Sequence, residues 1–250
     1  LRILLVDDSR LTRRFVSDWL SIIPGVEVVG EAADGRECLE FLERNEADCI
    51  IMDVEMPRLD GISTLKEMQD RGYRTPVLML SVLTQHGALT TFRALDLGAF
   101  DFIPKPSPDS GFSIEDIEAL LLTKVREILQ TRAEVDALMG KVPAPAGVGA
   151  AVSAAPVASA ASGSSGKELA PIKPGSYDLL VIGSSTGGPQ SLQQIFREMP
   201  ADFPAPILIV QHMPPVFTKA FAERLNNLSA LSVMEAEDNS EVLPGHVYVA

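Results

Sequence analysis

Asp178-Leu-Leu-Val-Ile182 runs directly into Gly183-Ser-Ser-Thr-Gly-Gly188, and a segment of helical spacing follows from Pro189. An apolar run of this length that meets glycines reads as a buried parallel strand turning sharply into a helix. The turn leaves a hydroxyl at the carboxyl end of a strand. The first N–H groups of the helix then point unpaired at any negative charge that develops beside it. This arrangement suits a serine nucleophile with its own oxyanion site. Gly183-Ser-Ser-Thr-Gly187 also matches G-x-S-x-G, with Ser185 in the nucleophile position. It is not a P-loop, because Pro189 follows Gly188 where a lysine is needed. The glycine spacing of a dinucleotide-binding turn is absent too. A purely structural strand–helix turn is the competing reading.

The next apolar strand, Ile207-Leu-Ile-Val210, leads into Gln-His-Met-Pro-Pro215. His212 therefore emerges on the same rim as Ser185, where an imidazole could accept the serine proton. His86 and His246 have no such partner and read as surface or turn residues. Tyr177–Ile182 and Ile207–Val210 read as strands, Gln190–Met199 and Val216–Leu228 as helices, and Leu231–Met234 and Val247–Val249 as weaker strands. Residues 177–250 thus form one α/β unit.

The chain changes composition upstream of this unit. Residues 140–176 are rich in Ala, Pro, Gly and Ser and nearly devoid of large apolar side chains. Such a segment buries too little surface to offset its ordering entropy, so it reads as a linker. Before it, five short apolar strands alternate with five helices. The strands are Arg2–Val6, Val26–Glu31, Cys49–Met52, Pro76–Leu80 and Asp101–Ile103. The helices are Leu11–Leu20, Arg36–Arg44, Gly61–Asp70, Ala88–Leu97 and Ile114–Leu138. That alternation predicts a parallel sheet covered on both faces. The expected organisation is two doubly wound parallel-sheet α/β domains joined by a linker. A flavodoxin-like five-stranded domain spans 1–128, its last helix running on towards 139, and a Rossmann-like domain spans 177–250.

Acidic residues crowd one rim of the first domain. Asp7 and Asp8 end the first strand and Asp53 the third, and in an open parallel sheet those ends face one crevice. Clustered carboxylates repel one another unless a cation lies among them, and an oxygen-only donor set favours Mg²⁺. Ser81 ends the fourth strand, and Lys105 follows the fifth. A carboxylate nucleophile, a metal, a hydroxyl and a lysine on one rim suit phosphoryl transfer to Asp53. The competing reading is a set of solvated strand-end acids.

The net charge is −13 over 250 residues, and ten of those excess negative charges fall in the first 139. No basic patch marks a nucleic-acid binder. No apolar run approaches the roughly 20 residues a membrane span needs. Cys38 and Cys49 sit on apolar faces, so a disulfide framework is not expected and a cytoplasmic protein is.

The elements Val6-Asp-Asp-Ser9, Met52-Asp-Val-Glu-Met-Pro57 with Asp60-Gly61, Leu80-Ser81 and Pro104-Lys-Pro106 resemble the response-regulator receiver domain. The resemblance implies Asp53 as phosphoacceptor, with Asp7, Asp8, Asp53 and the Glu55 backbone carbonyl around Mg²⁺. It implies Ser81 and Phe102 as a switch pair and Lys105 as partner of the phosphoryl oxygens. The two halves together resemble the chemotaxis-specific protein-glutamate methylesterase (CheB-type) family. Pro244-Gly-His-Val-Tyr-Val-Ala250 is similar to a stretch of that family as well. The likeness implies Ser185 as nucleophile, His212 as general base and Thr186 as an active-site hydroxyl. It also implies a chemotaxis histidine kinase as phosphodonor and methylated chemoreceptor helices as substrate, with receptor glutamines as further targets. The family's third triad member is an Asp on a later strand, and nothing up to Ala250 maps to it. The chain is therefore expected to be a C-terminally incomplete copy. The alternatives are a response regulator whose output half is a non-catalytic protein-binding module, and a general serine esterase.

Overall fold

A computed structural model describes residues 1–82, 85–105, 113–139 and 177–250. The expected linker lies outside the described residues. The first domain contains β1 (Arg2–Val6), α1 (Arg10–Leu20), β2 (Glu27–Ala32), α2 (Gly35–Leu42), β3 (Cys49–Asp53), α3 (Gly61–Asp70), β4 (Val77–Ser81), α4 (Gln85–Asp96), β5 (Asp101–Pro104) and α5 (Ile114–Met139). The second contains β6 (Leu180–Ser184), α6 (Gly188–Glu198), β7 (Ile207–Gln211), α7 (Pro215–Leu228), β8 (Ser232–Glu235) and β9 (His246–Val249).

Polar residues between strand and helix fix where several helices begin. The Ser9 hydroxyl accepts the Thr12 N–H, Asp34 accepts the Arg36 and Glu37 N–H groups, and Asp60 accepts that of Ser63. Each satisfies a donor that the first helical turn leaves unpaired. The first sheet is parallel, in the order β2-β1-β3-β4-β5. Its strand order reverses between β1 and β3, which opens a crevice at their carboxyl ends. β3, β4 and β5 are buried along their whole length, as expected for a sheet covered on both faces.

The second sheet is also parallel, ordered β6-β7-β9-β8. Here the structure corrects the expectation of a fully buried first strand. β6 begins at Leu180, where pairing with Ile207 starts, and runs on to Ser184 opposite Gln211. Its burial alternates, and Val181 is 58% exposed, with Val210 beside it at 56%. The apolar side chains of α6 and α7, including Phe196, Phe217 and Phe221, pack with Ile207, Ile209 and Val249 in one core. The face carrying Val181 and Val210 is open among the described residues.

The same core crosses between domains. Phe92 of α4 stacks on Phe221 of α7 at 5.6 Å and meets Phe217 edge-on at 6.3 Å. Phe102 of β5 lies 4.5 Å from Phe217. Arg224 of α7 pairs with Asp96 of α4 at the rim. Among the described residues no helix is long and apolar enough to cross a membrane. Both cysteines are free and buried.

Candidate functional site

The acidic crevice forms as its positions in sequence require. Asp7 and Asp8 follow β1, Asp53 closes β3, and one carboxylate oxygen of each lies within 4.8 Å of the others. Asp7 and Asp53 are buried, whereas Asp8 is exposed. Lys105, just past β5, reaches Asp53 at 2.7 Å and Asp7 at 2.9 Å. Burial pushes the Asp53 carboxyl up to about 6, against the downward pull of Lys105. Burial also lowers Lys105, but the two carboxylates outweigh it and leave the ammonium raised. One lysine thus serves two buried carboxylates, with a third at the rim. This surplus of negative oxygens fits a hard divalent cation.

Ser81 is buried at the end of β4, where its hydroxyl accepts from Thr91 at 2.6 Å. Phe102 does not face the acidic rim. It is 2% exposed and buried in the interdomain core against Phe217. β5 therefore touches both the crevice and the second domain. Glu55, whose backbone N–H bonds Asp53, stands two residues after it with its side chain exposed.

In the second domain, β6 and β7 are neighbouring parallel strands with Ser184 in register with Gln211. Ser185 and His212 are therefore the first residues beyond two adjacent strand tips. Ser185 Oγ stands 3.4 Å from His212 Nδ1. This is longer than a tight hydrogen bond but within the range that closes on substrate binding. The His212 N–H holds the Ser184 carbonyl at 2.9 Å, which ties the two tips by backbone as well. Thr186 Oγ1 is buried in the same turn and has no hydrogen-bond partner among the described residues. Gly187 has φ +71, a conformation that favours glycine, and opens α6 without a side-chain cap. His246 lies apart at the start of β9, with Nδ1 3.1 Å from the Pro244 carbonyl oxygen. His86 falls in α4.

Two features escaped the sequence reading. Gln211, 4% exposed, donates from Nε2 to the Ser185 carbonyl at 3.0 Å and accepts the Ser184 hydroxyl at Oε1. A polar residue closing the apolar run Ile207–Val210 immediately before His212 was its only sequence signal. The other is a buried ion pair, Lys124–Asp101, at 2.6 Å. Lys124 stands among Leu121, Val125 and Ile128 on the apolar face of α5, where a buried lysine demands an acid. A cleft of about 410 Å³ separates Ala119, Leu120 and Thr123 of α5 from His212, Met213 and Pro214. The first domain thus walls one side of the His212 loop.

Residues 3–113 match the response regulator receiver domain, and 180–250 match the CheB methylesterase domain. A protein-glutamate methylesterase/protein-glutamine glutaminase 2 of Photobacterium profundum is 40% identical to the chain. The match covers all of this chain and 70% of that protein. A protein-glutamate methylesterase/protein-glutamine glutaminase of Alkalilimnicola ehrlichii is 41% identical with the same coverage. The chain belongs to the protein-glutamate methylesterase/protein-glutamine glutaminase family.

The response regulator domain of Thermotoga maritima CheB is similar in sequence as well, at 38% identity. That alignment covers 52% of this chain and 94% of that domain, with a TM-score of 0.45. Membership makes the protein a receiver-coupled carboxylic ester hydrolase. The reading as a non-catalytic binding module is not favoured.

Proposed function

We propose that the protein removes methyl groups from glutamate side chains of chemoreceptors when its receiver domain is phosphorylated, and that it also deamidates receptor glutamines. The observation that carries this reading is the 3.4 Å approach of Ser185 Oγ to His212 Nδ1, on adjacent strand tips beside the amino end of α6. Ser185 Oγ attacks the ester carbonyl while His212 Nδ1 takes its proton. The C–O bond to the methoxy group breaks, and His212 returns the proton so that methanol leaves. Water, deprotonated by the same nitrogen, then releases the glutamyl carboxylate and regenerates Ser185. With a glutamine substrate the leaving group is ammonia. The imidazole must start neutral with its proton on Nε2. In the family's arrangement an Asp holds that tautomer.

The regulatory half acts through Asp53. Its carboxylate oxygen attacks the phosphorus of a phosphohistidine on a chemotaxis histidine kinase, the P–N bond breaks, and an acyl phosphate forms. Asp7, Asp8, Asp53 and the Glu55 carbonyl would hold a Mg²⁺ ion, which when bound neutralises charge on the phosphoryl oxygens. Lys105 pairs with those oxygens. Ser81 and Phe102 change their contacts in response, and Phe102 carries the change into the core against Phe217. Docking of the receiver restricts access to Ser185, and phosphorylation shifts the population towards the open arrangement. The chemistry is that of a protein working in the cytoplasm beside receptor signalling helices.

The test is methanol release from methylated receptor by the parent protein, Ser185→Ala and His212→Ala. Loss of release in both variants is expected. Equal release by Ser185→Ala removes the nucleophile.

A further inference from the structure

Helix α6 opens at Gly187, which has no side chain to cap it. The cap comes from the receiver. The Gly187 N–H donates to Asp101 Oδ2 at 3.0 Å, across 86 residues of chain. Asp101 is 1% exposed. Its Oδ1 accepts the Phe102 N–H at 2.8 Å, and Oδ2 also accepts from Lys124 Nζ at 2.6 Å. A carboxylate whose charge is balanced by a buried lysine therefore sits on a backbone donor two residues from Ser185. It does so at a helix amino end, where partial positive charge favours an anion.

Hydrolysis of a glutamyl ester or amide ends in a carboxylate on a short side chain. Asp101 presents the same chemical group at the same turn. We propose that Asp101 is a built-in product analogue: while the domains are docked it occupies the Gly187 N–H that otherwise serves the substrate's acyl oxygen, and phosphorylation of Asp53 activates the enzyme by withdrawing it. The proposal rests on Ser185 being the nucleophile.

The covalent route between the two sites is short. β5 runs only from Asp101 to Pro104, and Lys105 immediately beyond it binds Asp53. Four residue steps along the strand, about 13 Å at roughly 3.3 Å each, separate the phosphoacceptor's lysine from the α6 cap. Phe102, next to Asp101, is the residue packed on Phe217. Because acyl oxygen and Asp101 compete for one donor, occupancy of the esterase site and docking of the receiver oppose each other reciprocally.

The test replaces both buried charges together, Asp101→Ala with Lys124→Met, so that neither is left unpaired. Ser185 is labelled with a fluorophosphonate probe in the unphosphorylated protein, with and without glutarate as a free carboxylate. The expected result is labelling about tenfold faster than in the parent, no further acceleration by acetyl phosphate, and protection by glutarate in the double variant alone. An unchanged labelling rate that acetyl phosphate still accelerates overturns the proposal. So does faster labelling that glutarate fails to slow, which marks a merely loosened interface. Labelling that survives Ser185→Ala in the same background removes the nucleophile and the proposal with it, a failure distinct from the other two.

Discussion

Gln211 Nε2 donates to the carbonyl of Ser185 at 3.0 Å and more weakly to that of His212 at 3.4 Å. One buried amide thus spans both strand tips, and its oxygen is taken by the Ser184 hydroxyl. Gly188 makes room for it, since a Cβ there would stand 2.3 Å from Gln211 Oε1. Gln211→Met keeps the volume and removes every one of these bonds. We expect a stability loss of about 1–3 kcal/mol from the unpaired groups left behind. Ester hydrolysis should fall by as much as ~100-fold through kcat, because a misplaced pair loses its approach geometry. Steady-state kinetics on methylated receptor separate kcat from KM. A change in KM alone would show that Gln211 does not hold the reacting pair.

The topology was legible because strand ends in a parallel sheet carry their own chemistry. Asp7, Asp53, Ser81 and Lys105 each stop an apolar run, so their convergence followed from the strand–helix alternation. Ser185 and His212 were legible for the same reason. The start of β6 was not. Tyr177-Asp178-Leu179 looks as strand-like as Leu180-Val-Ile182, but pairing with β7 decides the strand, and that pairing runs Leu180 to Ser184. Asp101 and Gln211 were harder to read for a different reason. Asp101 acts through a bond to backbone that only the packed domains bring near, 86 residues away, and Gln211 through a bond to Ser185 that only the pairing of β6 with β7 creates.

Aromatic packing should outweigh the rim ion pair in the interdomain contact. Phe92 is 3% exposed among Phe102, Phe217 and Phe221. Its truncation to Ala should cost roughly 3–5 kcal/mol, shared between folding and docking. The Arg224–Asp96 pair is more than a quarter exposed on both sides, so Arg224→Ala should cost at most about 1 kcal/mol. Phe92→Ala should therefore raise the unphosphorylated esterase rate well above that of Arg224→Ala. Equal rates would assign the contact to the ion pair instead.

The acidic crevice should report cation binding as stability. A ligand at 100 times its Kd adds about 2.7 kcal/mol to a protein that binds it only when folded. Saturating Mg²⁺ should raise the thermal midpoint of the parent protein, and Asp53→Asn should diminish that rise by removing a negative ligand. The same variant should lose stimulation by acetyl phosphate while retaining the basal esterase rate. Full stimulation of Asp53→Asn would place the phosphoacceptor elsewhere.

The two thiols give a pH dependence of known sign. Burial pushes Cys38 up to about 12, and burial pushes Cys49 up to about 12 as well. A thiol in the unfolded chain ionises near pH 9, so above that pH the unfolded state holds fewer protons than the native one. Stability must then fall as pH rises from about 9 towards 12. Below pH 9 both states keep the thiols neutral and the contribution vanishes. At pH 8 a disulfide reagent such as dithionitrobenzoate should accordingly find no fast-reacting cysteine in the native protein and two after unfolding in guanidinium. The slow native reaction should track global unfolding, because only that transition exposes Cys49 on the central strand β3. A rapid stoichiometric reaction of the native protein would mean that at least one of these side chains lies open to solvent.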